Sequence, residues 1–75
     1  FNYIIKIADF YFKESAKDMK QRIINEAKIE NTNIIKLSNT EFRVFIGPFK
    51  DLNSLKKSFN AISLLEFDNL EVIRE

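Results

Sequence analysis

The sequence predicts an α+β fold in which two helices pack on one face of a four-stranded antiparallel sheet. Three observations predict it: short runs of β-branched and aromatic residues, two segments of helical periodicity between them, and an internal repeat. In the repeat, Ile5–Phe10 aligns with Val44–Phe49, and a helical pattern follows each block. Two such strand–helix units give the order βαββαβ, and right-handed crossovers then place strands one and three at the centre of the sheet.

The first strand–helix unit covers roughly the first thirty residues. Asn2–Ala8 is short and rich in β-branched residues, which predicts a strand. From Glu14 to Ile29 apolar residues recur at steps of three and four, which predicts an amphipathic helix. The apolar stripe of this helix consists of Ala16, Met19, Ile23 and Ala27. Between strand and helix, Tyr11 and Phe12 are expected to close the core at the end of the sheet.

The second unit begins with a hairpin. Ile34–Leu37 and Glu41–Ile46 are predicted as strands two and three, joined by turn-forming residues at positions 38–40. Asp51 stands where its side chain would accept the free amide hydrogens of a second helix, which we expect to end near Leu65. The stripe that this helix would bury consists of Leu52, Leu55, Phe59 and Ile62.

The chain is expected to end in a fourth strand. Asp68–Asn69 reads as a turn, and Leu70–Arg74 alternates as an edge strand. The complete arrangement is of the ferredoxin-like or RNP-like kind, with both helices on one face of the sheet and the other face uncovered. Gly47 and Pro48 are the only glycine and proline, and they are predicted to end strand three in a sharp corner.

Composition excludes several classes of function. The 75 residues suffice for one domain, residues 1–75, and the first residue, Phe1, leads us to expect that this domain is part of a longer protein. The chain has no cysteine and no histidine, so no cofactor or metal site is expected. Acid pairs such as Asp9 and Glu41 are expected by chance among eleven acidic residues, so we predict no enzyme.

The partner expected from composition is neither a nucleic acid nor a membrane. A net charge of +1 gives little non-specific attraction to phosphates, and no stretch approaches the roughly 20 apolar residues of a membrane span. We also expect the domain to be monomeric.

Alternation along the central strands identifies the residues of the uncovered face. Ile5 and Ile7 match Val44 and Ile46 as the inward-facing set, since these β-branched side chains suit a face covered by helices. The residues between them should face outward: Ile4, Lys6, Glu41, Arg43 and Phe45. An aromatic side chain next to an arginine suits a ligand ring with polar edges, although single exposed apolar residues are also common.

The two repeated blocks also resemble a known family. Ile5–Phe10 paired with Phe42–Phe49 is similar to the SPOR (sporulation-related repeat) domain of bacterial cell-envelope proteins, whose second half commonly reads aromatic-Arg-Val-x-x-Gly-Pro-Phe. The resemblance implies a βαββαβ module, not an enzyme, that binds peptidoglycan glycan strands stripped of their stem peptides. It further implies localisation in the periplasm or cell envelope, at the division septum, and binding on the open face of the sheet.

The resemblance assigns a role to several residues. Arg43 matches the family's arginine on strand three and would donate hydrogen bonds to the glycan, while Phe45 would contact a sugar ring. Lys6 stands where glutamine is frequent, Asp9 where a small or hydroxyl residue is usual, and Glu41 where an aromatic is frequent. The candidate glycan-binding residues are therefore Ile4, Lys6, Asp9, Glu41, Arg43 and Phe45.

Two other functions share the predicted fold. A single-stranded nucleic-acid binder of RRM type has the same element order and stacks bases on sheet aromatics. Strand three lacks the glycine–aromatic alternation of that class, because Glu41 and Val44 occupy the required positions. A protein-interaction or small-effector module is compatible with the fold as well, since fold alone does not determine function.

Overall fold

The computed structural model describes residues 2–67 and 69–74. The elements are β1 (Tyr3–Phe10), α1 (Lys13–Ala27), β2 (Thr32–Ser38), β3 (Glu41–Phe49), α2 (Leu52–Ser63) and β4 (Glu71–Arg74). Every strand pair is antiparallel and the sheet order is β2-β3-β1-β4, so β1 and β3 are central. The predicted α+β fold is confirmed. The turn predicted at Asp68–Asn69 lies partly outside the described residues.

The core forms where both helices meet the same face of the sheet. Ile5 and Ile46 are fully buried opposite each other on the central strands. The two helices contribute apolar side chains to the same cluster, and the buried ones are Ala16, Ile23, Leu55 and Ile62. The opposite face therefore has no helix against it, as the alternation predicted. The prediction that Leu52 is buried is wrong, since this first residue of α2 is 52% exposed.

Helix α1 ends two residues earlier than the periodicity suggests. Lys28 adopts a left-handed conformation, with φ of 58°, and so ends the helix after Ala27. Ile29 still reaches the core, and Thr32, which precedes the predicted start of the second strand at Ile34, is buried as the first residue of β2. The Thr32 hydroxyl donates a 2.8 Å hydrogen bond to the carbonyl oxygen of Ile29, which allows a polar side chain to be buried here.

The two helices begin differently. Asp51 caps α2 as predicted, because its carboxylate accepts a 2.8 Å hydrogen bond from the Ser54 amide. Phe12 occupies the equivalent position of α1 and makes no side-chain cap. The prediction that Tyr11 and Phe12 close the core is wrong, since they are 62% and 64% exposed. Phe10 packs against the core in their place.

Strand β3 continues through Gly47 and Pro48, so the corner predicted there is wrong. The strand runs to Phe49, which is buried in the core opposite Tyr3. Between Ile46 and Phe49 the register with β1 shifts, which marks a β-bulge. A Cβ atom on Gly47 would lie 2.9 Å from the Tyr3 carbonyl oxygen, and its φ is +128°. The glycine is therefore required by the close approach of two central strands.

Candidate functional site

The candidate site is the open face, by which we mean the side of the sheet that carries no helix. Pairing in the sheet defines its members, because directly paired residues project to the same side. Across β1, β3 and the two edge strands, the described members are Ile4, Lys6, Asp9, Asn33, Ile35, Ser38, Glu41, Arg43, Phe45, Glu71 and Ile73. The open face thus combines charged side chains at its centre with apolar side chains beside them.

A β-bulge in β1 brings Asp9 onto this face. Regular alternation would place Lys6 and Asp9 on opposite sides, because they are three residues apart. The register between β1 and β3 shifts between Lys6 and Ala8, so Lys6 pairs with Phe45 while Asp9 pairs with Arg43. The extra residue reverses the alternation, and both charged side chains project to the same side.

Asp9 and Arg43 form a bidentate ion pair across the two central strands. The Arg43 Nε donates to Asp9 Oδ1 at 2.8 Å, and an Arg43 terminal nitrogen donates to Asp9 Oδ2 at 3.1 Å. The Lys6 Nζ lies 3.6 Å from the same Oδ2. The three side chains are between 22% and 26% exposed, so the cluster is reachable from solvent but partly shielded. Two parallel hydrogen bonds fix the orientation of the guanidinium plane.

The charges of the pair stabilise each other. The hydrogen bond from Arg43 lowers the pKa of Asp9, partly opposed by burial, and the charges of Arg43 and Lys6 lower it further. The hydrogen bond to Asp9 raises the pKa of Arg43, partly opposed by burial, and the charges of Asp9, Glu41 and Glu71 raise it further. Asp9 is therefore ionised at neutral pH and acts as a hydrogen-bond acceptor.

Apolar side chains flank the charged cluster. Phe45 is half-buried next to Lys6, and Ile35 is 48% exposed directly opposite Arg43. Asn33 pairs with Phe45 and donates a 2.8 Å hydrogen bond to the Gly47 carbonyl oxygen, which ties edge strand β2 to the bulge in β3. The arrangement can offer hydrogen-bond donors and acceptors together with a contact surface for an apolar ring face.

The structure places five of the six predicted site residues at the surface of the open face. The exception is Ile4, which lies on this face by register but is only 7% exposed and so offers little area to a ligand. Five further members of the open face were not predicted from the sequence: Asn33, Ile35, Ser38, Glu71 and Ile73. In β2, the adjacent Ile34 and Ile35 are both apolar, so alternation does not show which of them faces outward. In β4, the face of Glu71 follows from its pairing with Lys6, which the sequence of the strand alone does not show.

The described part of the chain holds neither a cluster of metal ligands nor a membrane-spanning helix. Residues 2–67 and 69–74 contain no group of acidic side chains arranged to hold a metal ion. Within the same residues no helix is both long enough and apolar enough to cross a membrane.

The fold matches one described for another protein. No family model and no curated protein matches the sequence. Among solved structures, the chain is similar to the SPOR domain of RlpA from Pseudomonas aeruginosa, with a TM-score of 0.70 and 12% sequence identity. The match covers 97% of this chain and 99% of that chain. At this identity the similarity shows the fold, and it confirms the fold that the resemblance implied: this chain has the fold of a SPOR domain.

Proposed function

We propose that this domain is a binding module for peptidoglycan glycan strands and that the strand lies across the open face. The observation that carries the proposal is a fold shared with a SPOR domain over nearly the whole chain. The Arg-Val-x-x-Gly-Pro-Phe pattern at positions 43–49 supports it, and within this stretch Arg43 and Phe45 lie on the uncovered face. The proposed contacts are made by side chains on the two central strands and on β2.

The chemistry of the open face suits a sugar chain. Two of the N–H donors of the Arg43 guanidinium bind Asp9, and the remaining ones can donate to hydroxyl or acetamido oxygens. Oxygens of Asp9 and Glu41 can accept hydrogen bonds from sugar hydroxyls. Phe45 and Ile35 provide apolar area for the C–H face of a ring.

The proposal also covers the type of glycan strand that is bound and the location of the host protein in the cell. A glycan strand without stem peptides can lie flat on the open face of the sheet. Stem peptides would add bulk on the side of the glycan that contacts this face. Binding to such strands would direct the host protein to the division septum, within the periplasm or cell envelope. The SPOR pattern in the sequence is the support for this part of the proposal.

Sedimentation with purified sacculi tests the function. We expect the domain to be retained by sacculi whose stem peptides have been removed with an amidase, and to be retained less by untreated sacculi. Phe45→Ala should reduce retention about threefold or more, since it removes the proposed ring contact. Leu64→Ala is the matched control, because Leu64 is 82% exposed just after α2. Equal retention on both preparations would contradict the strand preference, and absent retention would contradict the function.

A further inference from the structure

We propose that Tyr11 and Phe12, which we name the aromatic pair, form a second subsite for the glycan strand at one end of the open face. The inference rests on the proposed function and deepens it, because it predicts that long oligomers use a contact that short ones cannot reach. At this subsite the C–H face of a sugar ring packs on an aromatic ring. Three observations carry it: the exposure of both rings, the missing cap at Phe12, and the position of the pair at the end of β1.

The first observation is the exposure of two adjacent aromatic side chains. Tyr11 is 62% exposed and Phe12 is 64% exposed, and both lie outside the hydrophobic core. Their ring centroids are 4.8 Å apart and their planes meet at 73°, so the two rings support each other edge to face. Single exposed apolar residues are ordinary, whereas two adjacent aromatic rings form a continuous apolar patch. Such a patch suits a ligand with an apolar face and polar edges, as a sugar ring has.

The second observation is that Phe12 occupies the N-cap position of α1 without capping the helix. Serine, threonine, aspartate and asparagine are favoured at an N-cap, because their side chains accept a hydrogen bond from a free amide of the first turn. The same chain uses Asp51 in this way at the start of α2. Phe12 therefore costs helix stability, and its exposed ring recovers little of that cost by burial. Residues that break a local rule without such compensation are typical of functional positions.

The third observation is the position of the aromatic pair at the end of β1. Asp9 projects from the open face, whereas the next residue, Phe10, pairs with Phe42 and packs against the core. Continuing this alternation by one residue directs Tyr11 to the side of the open face, beside Glu41 at the start of β3. The aromatic pair thus continues the open face beyond its charged cluster.

The spacing along β1 sets the length of ligand that can use both subsites. Phe45, the proposed ring contact of the open face, pairs with Lys6. At about 3.3 Å per residue, Tyr11 lies roughly 16 Å farther along the chain than Lys6. A disaccharide covers one of the two positions, whereas an octasaccharide covers both. Contact at both raises affinity, because the second contact is made by a ligand that is already bound.

The surrounding charges favour a sugar over a membrane as the ligand of the aromatic pair. The first turns of α1 hold Lys13 and Lys17 together with Glu14 and Asp18, so their formal charges cancel. Aromatic side chains that anchor a protein to a membrane surface usually act together with a cluster of basic residues, which attracts anionic lipid headgroups. Because the pair adjoins the open face, the glycan strand is the ligand that its position favours.

Titrations with two glycan lengths, followed by backbone amide shifts, test the inference. The probes are a disaccharide and an octasaccharide of N-acetylglucosamine alternating with peptide-free N-acetylmuramic acid, and affinity is read at the amide of Phe45. The ratio of the two affinities is compared between wild type and the double variant Tyr11→Ser/Phe12→Asn. We expect the double variant to bind the octasaccharide about fivefold more weakly and the disaccharide equally well. An octasaccharide also has more registers on the open face, but this advantage is the same in both proteins.

Two further variants separate ligand contact from helix stability. Phe12→Asn alone supplies a favoured N-cap residue, so it should raise the unfolding temperature while lowering affinity for the octasaccharide about twofold. It also serves as the test if the double variant does not fold. Leu52→Asn is the matched control, because Leu52 is 52% exposed at the start of α2 and lies at the opposite end of the sheet, after Phe49, which pairs with Tyr3. We expect Leu52→Asn to leave both affinities unchanged.

The outcomes separate this inference from the proposed function. An octasaccharide affinity that the folded double variant retains, or that Leu52→Asn lowers equally, would overturn the second subsite and leave glycan binding on the open face in place. An equal loss for both lengths would also overturn it, because the pair would then act on the contact at Phe45 itself. Binding of wild type to vesicles of phosphatidylcholine and phosphatidylglycerol that the double variant loses would overturn it as well and assign the pair to a membrane surface. Failure of wild type to bind either oligomer would overturn both proposals.

Discussion

The two faces of this sheet are built from neighbouring residues of the same strands but have opposite chemistry. On β3, Val44 and Ile46 are fully buried under the helices, whereas Arg43 and Phe45, which alternate with them along the strand, are partly exposed. The covered face is apolar, so its contribution to stability comes from burial. The open face carries an ion pair and charged neighbours, which contribute little to stability and which, in the proposed function, contact the ligand. Stability and binding should therefore respond to different substitutions along one strand.

The largest effect is expected from truncation on the covered face. Ile46→Ala should lower the free energy of unfolding by roughly 2–5 kcal/mol, because it leaves a cavity at a fully buried position. Ile35→Ala is the matched control on the open face, where the side chain is 48% exposed, and should cost less than about 1 kcal/mol. Urea unfolding of both variants measures the difference. Equal losses of unfolding free energy in the two variants would contradict the view that stability comes mainly from the covered face.

A smaller loss is expected at the bulge in β3. Gly47→Ala should lower the free energy of unfolding by about 2 kcal/mol, because the new methyl group would lie 2.9 Å from the Tyr3 carbonyl oxygen in a backbone conformation that favours glycine. Thermal or urea unfolding checks the value. Lys50→Ala, an exposed neighbour just beyond β3, should be almost neutral. A neutral Gly47→Ala would show that the strands do not approach this closely.

The ion pair of the open face should contribute less than either of these sites. A double-mutant cycle with Asp9→Ala and Arg43→Ala should give a coupling energy of about 1 kcal/mol, since the pair is bidentate but still partly exposed. The same cycle on Arg22 and Glu26, an exposed pair on α1, should give about 0.4 kcal/mol. A coupling at Asp9 and Arg43 no larger than at the helix pair would contradict the bidentate geometry.

The smallest effect is expected in the dependence of stability on pH. The pKa of Asp9 is lowered in the folded state, so its contribution is fully present above the unfolded pKa of about 3.9 and is lost as the pH falls through the folded value. The difference in free energy of unfolding between wild type and Asp9→Asn should be constant near neutral pH and shrink below about pH 4. Asp18→Asn, at an exposed position of α1, is the control with the same change in charge. If the difference in free energy of unfolding grew on acidification, the pKa of Asp9 would be raised and not lowered by folding, which would contradict the account.

Sequence periodicity was sufficient for the architecture. The helical stripes through Ile23 and Ile62 and the alternation in β3 predicted the order of elements and the central strands, because burial of an apolar face is encoded locally. Arg43 and Phe45 were placed on the correct side by the same reasoning, since β3 is regular between Glu41 and Ile46.

The bulges account for most of what could not be predicted. A bulge depends on how two strands fit together, which no single segment encodes. The family resemblance named Asp9, but alternation alone did not place it, because Asp9 reaches the open face through an irregularity between Lys6 and Ala8. Gly47 lies within a strand and not at its end. The prediction that Tyr11 closes the core failed because β1 extends to Phe10. The side chain of Phe10 packs against the core there, and Tyr11 is left exposed.

Backbone amide shifts recorded during a glycan titration test the central claim most directly. With peptide-free glycan oligomers, we predict that the largest changes lie on β1 and β3 around Lys6, Arg43 and Phe45, with few changes on the outer surfaces of the helices. Changes concentrated at the groove between α2 and β4, lined by Phe59 and Val72, would contradict an open-face site. Absence of any change at saturating oligomer would contradict glycan binding by this domain.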